Sequence, residues 1–340
     1  MDEERTPLSD IIVGCSLMAI SAACGIAYSI ILTTIWKDGE LMKMISYKFM
    51  FVLGIFDVIQ CFPHFMTGIF TVYRQSYSPG LAKAMGVLAT PAYVAYTVLT
   101  VFLAFSRFVQ LYSSRLDEML FGGSALRVWI AIALAAWFLF ALALASPWAS
   151  IIYLPDYYSW DYDYDLRFSL YVQKTEMVIE LSTILISAVF YLLVIIALYR
   201  TRKRFATQSN AKAEIKILIQ ALVITVYCTV LNFLWHNYQL VLPSNLWSYT
   251  ALNFMWVANA GVYPLIYFIV NRAIRDRIAV RKSAIPTVSI FTRVVKSGHR
   301  SSTNLVEVTP PKCKIIRTHF NGETHIGSTV KSNRKVKFVS

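Results

Sequence analysis

The sequence predicts an all-α membrane protein: a bundle of seven transmembrane helices with its N-terminus outside and its C-terminus in the cytoplasm. The chain of 340 residues is 57% hydrophobic and only 15% charged, whereas soluble domains average about 45–50% apolar and about 25% charged residues. The apolar residues gather into seven long segments, and Lys and Arg gather beside these segments and in the last part of the chain. A soluble protein has to spread its charges over its surface, so this uneven distribution favours a membrane protein.

Each of the seven segments is long enough to cross a bilayer. About 20 mostly apolar residues, with a rise of about 1.5 Å each, cross roughly 30 Å of hydrocarbon. A short turn around Pro243 and Asn245 divides the last apolar stretch into two helices. In chain order, the predicted spans are Ile11 to Trp36, Ser46 to Tyr73, Leu81 to Leu111, Ala125 to Pro147, Met177 to Tyr199, Ile215 to Asn237 and Leu246 to Asn271.

Basic residues predict the orientation, since loops rich in Lys and Arg remain in the cytoplasm. The loop after the fifth span carries the cluster Arg202, Lys203 and Arg204, and basic residues are frequent again from Arg272 onward. The loops on the other side carry few. The start of the chain, Met1 to Asp10, is acidic and lacks the basic n-region of a signal peptide, so we expect the first span to act as an uncleaved anchor.

A short basic amphipathic helix, the eighth helix of the chain, is predicted after the seventh span. In this segment Ile274 and Ile278 lie one helical turn apart, and arginines occupy the other faces. Such a helix lies on the inner leaflet, where its positive charges bind anionic lipid. The polar, basic tail that follows is predicted to be disordered. The predicted organisation is an extracellular N-terminus (1–10), a seven-transmembrane domain (11–271), the juxtamembrane helix (272–282) and the cytoplasmic tail (283–340).

Composition and motifs argue against several other classes of function. The net charge of +13 does not indicate a nucleic-acid-binding protein, because the positive charges flank apolar segments rather than a soluble folded surface. Of the five cysteines, four lie in apolar segments and none forms a CxxC pair, so we expect neither a disulfide framework nor a metal site. We find no nucleophile–base pair and no phosphate-binding loop, so we do not expect an enzyme.

Three short motifs occur at the helix positions where rhodopsin-like receptors have their signatures. The third span ends in Ser-Arg-Phe, Ser106 to Phe108, which resembles Asp/Glu-Arg-Tyr. The second span contains LGIFD, ending at Asp57, which resembles Leu-x-x-x-Asp. The seventh span has YPLIY, Tyr263 to Tyr267, shortly after Asn259, which resembles Asn-Pro-x-x-Tyr. Each motif is weak alone, but three of them in the expected helices are fairly specific.

The run from Ser46 to Thr71 resembles, more narrowly, the nematode serpentine chemoreceptors of class T. The resemblance extends from about Ile11 to Lys282 and implies a chemosensory receptor that binds a small extracellular molecule and activates a heterotrimeric G protein. It also implies a plasma-membrane location, in a sensory cilium. The chain departs from the superfamily pattern, since Ser106 replaces the acid before the arginine, Tyr263 replaces an asparagine, and the sixth span has no proline.

The resemblance assigns the inner ends of the helices to G-protein coupling. Arg107 would contact the G protein when the helices open; an arginine that merely reaches the lipid headgroups is the alternative. Pro264 is expected to kink the seventh helix, so that Tyr267 moves with its inner half. The basic cluster after the fifth span is either a G-protein surface or a lipid anchor. The candidate coupling and switch residues are Ser106, Arg107, Phe108, Tyr263, Pro264, Tyr267, Arg202, Lys203 and Arg204.

Asp57 is an acid in the middle of a predicted span, where inserting a carboxylate costs on the order of 3 kcal/mol. The resemblance implies that Asp57 and Asn259 hold a sodium ion, which would stabilise the inactive state. A protonated or hydrogen-bonded structural carboxyl explains the residue equally well. Apart from this ion we expect no cofactor.

The outer halves of the helices contain the candidate ligand pocket. Glu180 is its most informative member, because an acid about one turn inside an apolar span is a functional candidate by default. Each member taken singly is explained more simply by helix packing or by anchoring at the membrane interface. The loop Leu154 to Asp165 is acidic and aromatic; it is either a lid or a solvated loop, and we prefer the solvated loop. The candidate pocket residues are His64, Thr67, Tyr93, Tyr96, Thr97, Glu180, Trp235, His236, Asn253 and Trp256.

Two further classes of membrane protein remain open. A ligand-gated cation channel of the insect odorant-receptor kind has the opposite topology, and a transporter shows repeated halves or broken helices. An opsin is not expected, because the seventh span has no Lys to hold retinal. In the tail, Ser283, Ser289 and Ser301 to Thr303 are candidate phosphorylation sites for a kinase and an arrestin-like protein.

Overall fold

The computed structural model describes residues 5–205, 210–243 and 245–283, which fold into a bundle of long helices with one small β-hairpin. The tail predicted for residues 283–340 lies outside the described residues except for Ser283. In chain order the helices are α1 (Pro7–Lys37), α2 (Gly39–Lys43), α3 (Ile45–Tyr73), α4 (Pro79–Tyr112), α5 (Ser114–Phe121), α6 (Ala125–Ala145), α7 (Ser169–Phe205), α8 (Asn210–Val241), α9 (Leu246–Val270) and α10 (Arg272–Ser283).

The long helices have the length and composition of membrane spans. Six of them meet both criteria within the described residues: α1, α3, α4, α6, α9 and the part of α7 up to Ala197. Helix α8 has 32 residues and packs against both α7 and α9. Together these helices form the predicted bundle, and α10 is the predicted short helix after it.

Capping residues explain where the first helices begin and end. Thr6 caps α1 by accepting from the Ser9 backbone N–H, Ser9 returns the bond, and Pro7 occupies the first helical position. Asp38 ends α1 and caps α2, since its carboxylate accepts from the backbone N–H groups of Glu40 and Leu41, both at 3.0 Å. The connection from α1 to α3 is therefore tightly defined.

Helices α1 and α3 pack at close range through two glycines. A Cβ atom on Gly14 would lie 2.7 Å from the Gly68 carbonyl oxygen, and one on Gly68 would lie 2.6 Å from the Gly14 carbonyl oxygen. Small residues at such crossings let two helix backbones approach each other within a membrane. Any larger side chain at either position would push the helices apart.

The loop between α6 and α7 is a two-stranded antiparallel hairpin, not the solvated loop that we preferred from the sequence. Strand β1 (Ile151–Leu154) pairs with β2 (Ser159–Tyr162) across a 3₁₀ turn at Pro155–Tyr157. The alternation of aromatic and acidic residues gives the physical reason: Trp160 and Tyr162 point inward and are buried, while the intervening Asp161 is only half-buried. The aromatic side chains pack into the bundle rather than at its rim.

Helix α7 begins earlier than predicted, at Ser169 instead of Met177. Ser169 is buried, and its hydroxyl accepts a hydrogen bond of 3.1 Å from the Ser150 backbone N–H. This bond ties the helix start to the base of the hairpin. The hydropathy pattern missed the first two turns because they are polar, and so it left Glu176 outside the predicted span.

Candidate functional site

The hairpin covers the outer end of the bundle and is hydrogen-bonded to the helices beneath it. The Trp160 indole N–H donates to the Thr67 hydroxyl at 2.9 Å, and the hydroxyls of Tyr153 and Thr71 lie 2.6 Å apart. All four side chains are buried. The hairpin is therefore anchored to α3 by polar contacts as well as by aromatic packing.

A buried ionic cluster fixes the hairpin turn to the start of the chain. Asp10 on α1 is 1% exposed, yet its carboxylate accepts from Arg5 at 2.5 Å, from the Tyr158 hydroxyl at 2.6 Å, and from Arg74 at the end of α3. The Asn253 side-chain amide donates to the Tyr158 carbonyl at 2.8 Å. Four separate segments thus meet at the turn of the hairpin.

Two glutamates lie one helical turn apart on α7, directly below the hairpin. Glu176 and Glu180 are both buried. The Tyr162 hydroxyl donates to Glu176 at 2.5 Å, and the His236 imidazole Nε2 lies 2.8 Å from a carboxylate oxygen of Glu180. The other oxygen of Glu180, Oε1, has no hydrogen-bond partner in the part of the chain that the structure describes.

Two cavities lie next to this acid pair. The inner one, about 20 Å³, is lined by both glutamates together with Asn232 and Trp256. The outer one, about 210 Å³, lies between the hairpin and the ends of α8 and α9. Ile151 and Trp235 line both cavities. They therefore form the partition between the small inner cavity and the larger outer one.

Acidic groups also line the approach to the cavities. The Asp161 side chain lines the outer cavity, and burial raises the pKa of its carboxyl above the ordinary value of 3.8, although the Tyr162 backbone N–H donates to it. Burial also raises the pKa of Tyr153 in the neighbouring strand, so its hydroxyl stays neutral.

In the centre of the bundle Asp57 bonds to a tyrosine. The Tyr28 hydroxyl, on α1, donates to Asp57 Oδ2, and both side chains are fully buried. Among the described residues, Asp57 Oδ1 has no partner. The side-chain oxygen of Asn259 accepts from the Cys228 thiol at 3.6 Å, and no hydrogen bond in the described part of the chain joins Asn259 to Asp57.

At the inner end of α4, Ser106 is buried and its hydroxyl donates to the Leu103 carbonyl at 2.8 Å. Arg107 is half-buried and lies near Tyr191 and Tyr267. No ion pair joins Arg107 to any described residue.

The inner face is completed by α9 and α10. Tyr263 packs edge-on against Tyr267, with ring centroids 5.8 Å apart, and Pro264 lies between them within α9. Arg277 on α10 forms an ion pair with Asp38, at the end of α1. The hydrogen bond from Arg277 lowers the pKa of the Asp38 carboxyl.

The sequence model of the family described as "Serpentine type 7TM GPCR chemoreceptor Srt" matches residues 2–288 of the chain. The chain belongs to this family. It is therefore a multi-pass membrane protein and a G-protein-coupled chemosensory receptor, and the family implies both a ligand and a G-protein partner. No curated protein matches the chain.

The crystal structure of squid rhodopsin has the same fold as this receptor. The TM-score is 0.64 and the sequences are 14% identical, over 84% of this chain and 88% of the rhodopsin chain. At this identity the likeness concerns the fold alone. The predicted resemblance to serpentine chemoreceptors and the predicted seven-helix receptor fold are both confirmed.

The receptor brings some of the predicted pocket residues to the cavities and uses others elsewhere. Tyr93, Glu180, Trp235 and Trp256 line the inner cavity, and His236 contacts Glu180. The remaining five predicted residues do not line the inner cavity. Thr67 and Asn253 form hydrogen bonds with the hairpin. His64 packs edge-on against Trp256, Tyr96 packs against Tyr263, and the Thr97 hydroxyl donates to the Val94 carbonyl.

The structure describes the side chains of some of the predicted coupling residues but not of others. Phe108 stacks on Tyr112 and contacts Phe190, at the same inner end as Arg107. The side chains of Arg202, Lys203 and Arg204, at the end of α7, lie outside the described residues.

Sequence reasoning missed three residues of the receptor core. Glu176 lies four residues before Glu180, a spacing that places both carboxylates on one helix face. Asn232 is an amide within the sixth span, and Tyr28 is a tyrosine in the middle of the first. Polar side chains at these depths were the available signal, but their partners are set by tertiary structure.

Proposed function

We propose that a small molecule binds beneath the hairpin and that its binding is transmitted to a heterotrimeric G protein at the opposite end of the bundle. The observation that carries this proposal is the pair of cavities that lie between the hairpin and the helices. Ligand sites are concave, mostly apolar, and contain a few polar groups that orient the ligand. Aromatic walls around Glu180 and Asn232 match that description.

Helix α9 links the cavities with the inner face. Trp256 lines the inner cavity, and Tyr263 and Tyr267 follow further along the same helix. Pro264 has no backbone N–H to donate, which weakens the helix at this point and lets its inner half pivot. A ligand that shifts Trp256 thereby shifts Tyr267 relative to Arg107, and the G protein binds the shifted arrangement.

The proposed orientation places the hairpin outside the cell and α10 at the cytoplasmic face of the plasma membrane. The excess of basic residues in the loops opposite the hairpin supports this orientation. We propose that Arg272 and Arg275 on α10 contact anionic lipid. Phosphorylation of the tail by a kinase, recruitment of an arrestin and location in a sensory cilium are supported by composition and family resemblance.

We also propose that Asp57 binds a sodium ion. The unpartnered, buried Oδ1 supports this, because sodium is a hard cation that prefers oxygen ligands. The Tyr28 hydroxyl, which bonds to Asp57, and the Asn259 amide oxygen, which the family resemblance assigns to the site, would complete the coordination. A bound ion would supply the positive charge that the buried carboxylate lacks.

The function is tested by nucleotide exchange on a panel of G proteins, with membranes from cells that express the wild type or Arg107→Ala. A tag at the N-terminus, detected on unpermeabilised cells, matches surface levels and checks the orientation. We expect exchange above background that Arg107→Ala lowers by about tenfold or more, a loss of about 1.4 kcal/mol in coupling.

Arg115→Ala is the matched control, since it removes an exposed positive charge from α5 at the same end of the bundle. It should leave exchange within about twofold of the wild type. Equal exchange by wild type and Arg107→Ala would contradict the proposed role of Arg107. A tag accessible only after permeabilisation would contradict the proposed orientation.

A further inference from the structure

The inner cavity contains two buried polar atoms that the described residues leave unsatisfied. They are Glu180 Oε1, a hydrogen-bond acceptor, and Asn232 Nδ2, a donor. Both residues are 1% exposed and both line the cavity. A buried polar atom without a partner is costly. A bound molecule that carries both a hydrogen-bond donor and an acceptor would supply partners for these two atoms.

The ionisable side chains that line this cavity are acids. Glu176 and Glu180 both face it, and the described group that can balance them is the His236 imidazole. Lys174 on the same helix is exposed, and Asp161 adds a further acid at the outer cavity. A carboxylate ligand would meet like charge here, whereas a cationic ligand would meet opposite charge.

The dimensions of the cavities limit the shape of the cation. The inner cavity has a volume of about 20 Å³. A water molecule needs about 10–15 Å³ of such a cavity, so the inner cavity holds one group of that size. A primary ammonium group has that size, and a trimethylammonium group does not fit. The outer cavity of about 210 Å³ has aromatic walls that include Trp160 and Tyr249, and it suits an aromatic or apolar body.

Aromatic rings also favour a cation at the partition between the two cavities. The rings of Trp235 and Trp256 lie 5.0 Å apart, and both residues line the inner cavity. The face of an indole ring attracts an ammonium group, and most strongly where water is excluded.

We propose that the ligand of this receptor is a small primary amine. Its ammonium group pairs with Glu180 in the inner cavity, and its aromatic or apolar body occupies the outer cavity beneath the hairpin. This proposal rests on the proposed function of the cavities as the ligand site. A hydroxyl or other acceptor next to the amine would also satisfy the Asn232 amide.

The test is the thermal unfolding midpoint of the purified full-length receptor in lipid nanodiscs, titrated with four probes that share one ring. The probes are 2-phenylethylamine, its neutral analogue 2-phenylethanol, the anion 3-phenylpropanoate, and the N,N,N-trimethyl derivative of the amine. A ligand that binds the folded state raises the midpoint in a concentration-dependent way. We expect the primary amine to act at concentrations at least about tenfold below those of the other three.

Glu180→Gln keeps the shape of the side chain and removes its charge, so it should weaken the amine effect about tenfold or more. The matched control is Asp165→Asn, which removes an exposed acid of the hairpin loop away from both cavities. It should change the amine concentration dependence by no more than about twofold. If Glu180→Gln does not fold, Ile151→Ala serves instead: widening the partition should bring the trimethyl probe within about threefold of the primary amine.

Equal stabilisation by the amine and the alcohol would overturn the proposal in favour of a neutral hydroxyl ligand. Stabilisation by the anion, or none by the amine at millimolar concentration, would also overturn it. The measurement contains no G protein, so a failure of coupling cannot be mistaken for a failure of amine binding. If nucleotide exchange depends on Arg107 but the amine does not raise the thermal midpoint, the amine proposal is contradicted and the proposed coupling function is not.

Discussion

At the scale of single residues, the pair formed by Tyr28 and Asp57 shows how this receptor satisfies a buried acid. The first span contains no asparagine that could donate a hydrogen bond to Asp57. The Tyr28 hydroxyl of this span donates to the carboxylate. A hydrogen bond to a charged group is stronger than one between neutral groups, and leaving such a group without it is costly. The contact also joins α1 to α3 in the middle of the membrane.

Replacing Tyr28 with phenylalanine removes only the hydroxyl and leaves both oxygens of Asp57 unsatisfied by described residues. We expect Tyr28→Phe to lower the free energy of unfolding by about 1–3 kcal/mol, measured by the thermal midpoint in nanodiscs. Tyr73→Phe is the control, because Tyr73 is exposed, and it should change stability by less than about 0.5 kcal/mol. Equal effects of the two substitutions would show that the bond to Asp57 contributes nothing.

The same preparation separates the two roles proposed for Asp57. A bound sodium ion should raise the midpoint in sodium relative to potassium, and Asp57→Asn should abolish that difference. A midpoint that does not depend on the cation would leave Asp57 as a structural carboxyl paired with Tyr28.

Single residues of the candidate site could be predicted only when their own position was unusual. Glu180 stood out because it lies within an apolar run, whereas Glu176 ends the polar first two turns of α7, which hydropathy assigns to a loop. Asn259 and Asp57 were expected to act together, but Asn259 bonds to Cys228 and Asp57 to Tyr28. Which polar groups meet depends on how the helices rotate against each other, and hydropathy does not contain that information.

At the scale of secondary-structure elements, the hairpin was the least predictable part of the fold. Its second strand carries a period-two alternation, Trp160 and Tyr162 against Asp161 and Asp163, which is a strand pattern. The acidic members led us to prefer a solvated loop. The approach of β1 also depends on a distant residue, since a Cβ atom on Gly86 of α4 would lie 2.0 Å from a methyl group of Ile151.

The short helix α10 was predicted from its sequence, but its attachment to α1 was not. Asp38→Asn should weaken the pair with Arg277 and raise amide hydrogen exchange across α10 by about fivefold. Asp276→Asn is the control, since it breaks an exposed pair with Arg272 on the same helix and should have little effect. Equal exchange in the two variants would mean that the Asp38 pair does not hold α10.

The same ion pair has a defined response to pH. The hydrogen bond from Arg277 lowers the pKa of Asp38 below the ordinary value of 3.8. Its contribution is therefore present in full above that value, and it is lost only as the pH falls through the lowered pKa. The ratio of the α10 protection factors of wild type and Asp38→Asn, which corrects for the intrinsic pH dependence of amide exchange, should accordingly stay constant from about pH 5 to pH 8.

At the scale of the whole molecule, the existence of the long spanning helices followed from the bilayer, although their exact ends and the short helices α2 and α5 did not. A membrane requires every backbone group of a span to be bonded within the protein, so a long apolar segment has to be a helix. The neighbours of each helix did not follow, because they depend on local contacts such as the one between Gly14 and Gly68. The family motifs supplied the arrangement that hydropathy could not.

The Asp10 cluster joins the start of the chain, the end of α3 and the hairpin turn. Asp10→Asn leaves Arg5 and Arg74 without their buried counter-charge, so we expect a loss of about 3 kcal/mol in the free energy of unfolding. Asp156→Asn removes the other acid that contacts Arg5, but the Asp156 side chain is 89% exposed. It should cost less than about 0.5 kcal/mol. Similar thermal midpoints for the two variants would contradict a structural role for Asp10.

The anchored hairpin also has a consequence for the timing of a sensory response. We expect a ligand to enter and leave the cavities by opening the same hydrogen bonds of the hairpin, which would slow association and dissociation together and leave the affinity unchanged. We expect such a receptor to ignore brief fluctuations in its surroundings and to keep signalling after the stimulus has gone. Its signal would depend more on how long the ligand is present than on how fast the ligand concentration rises.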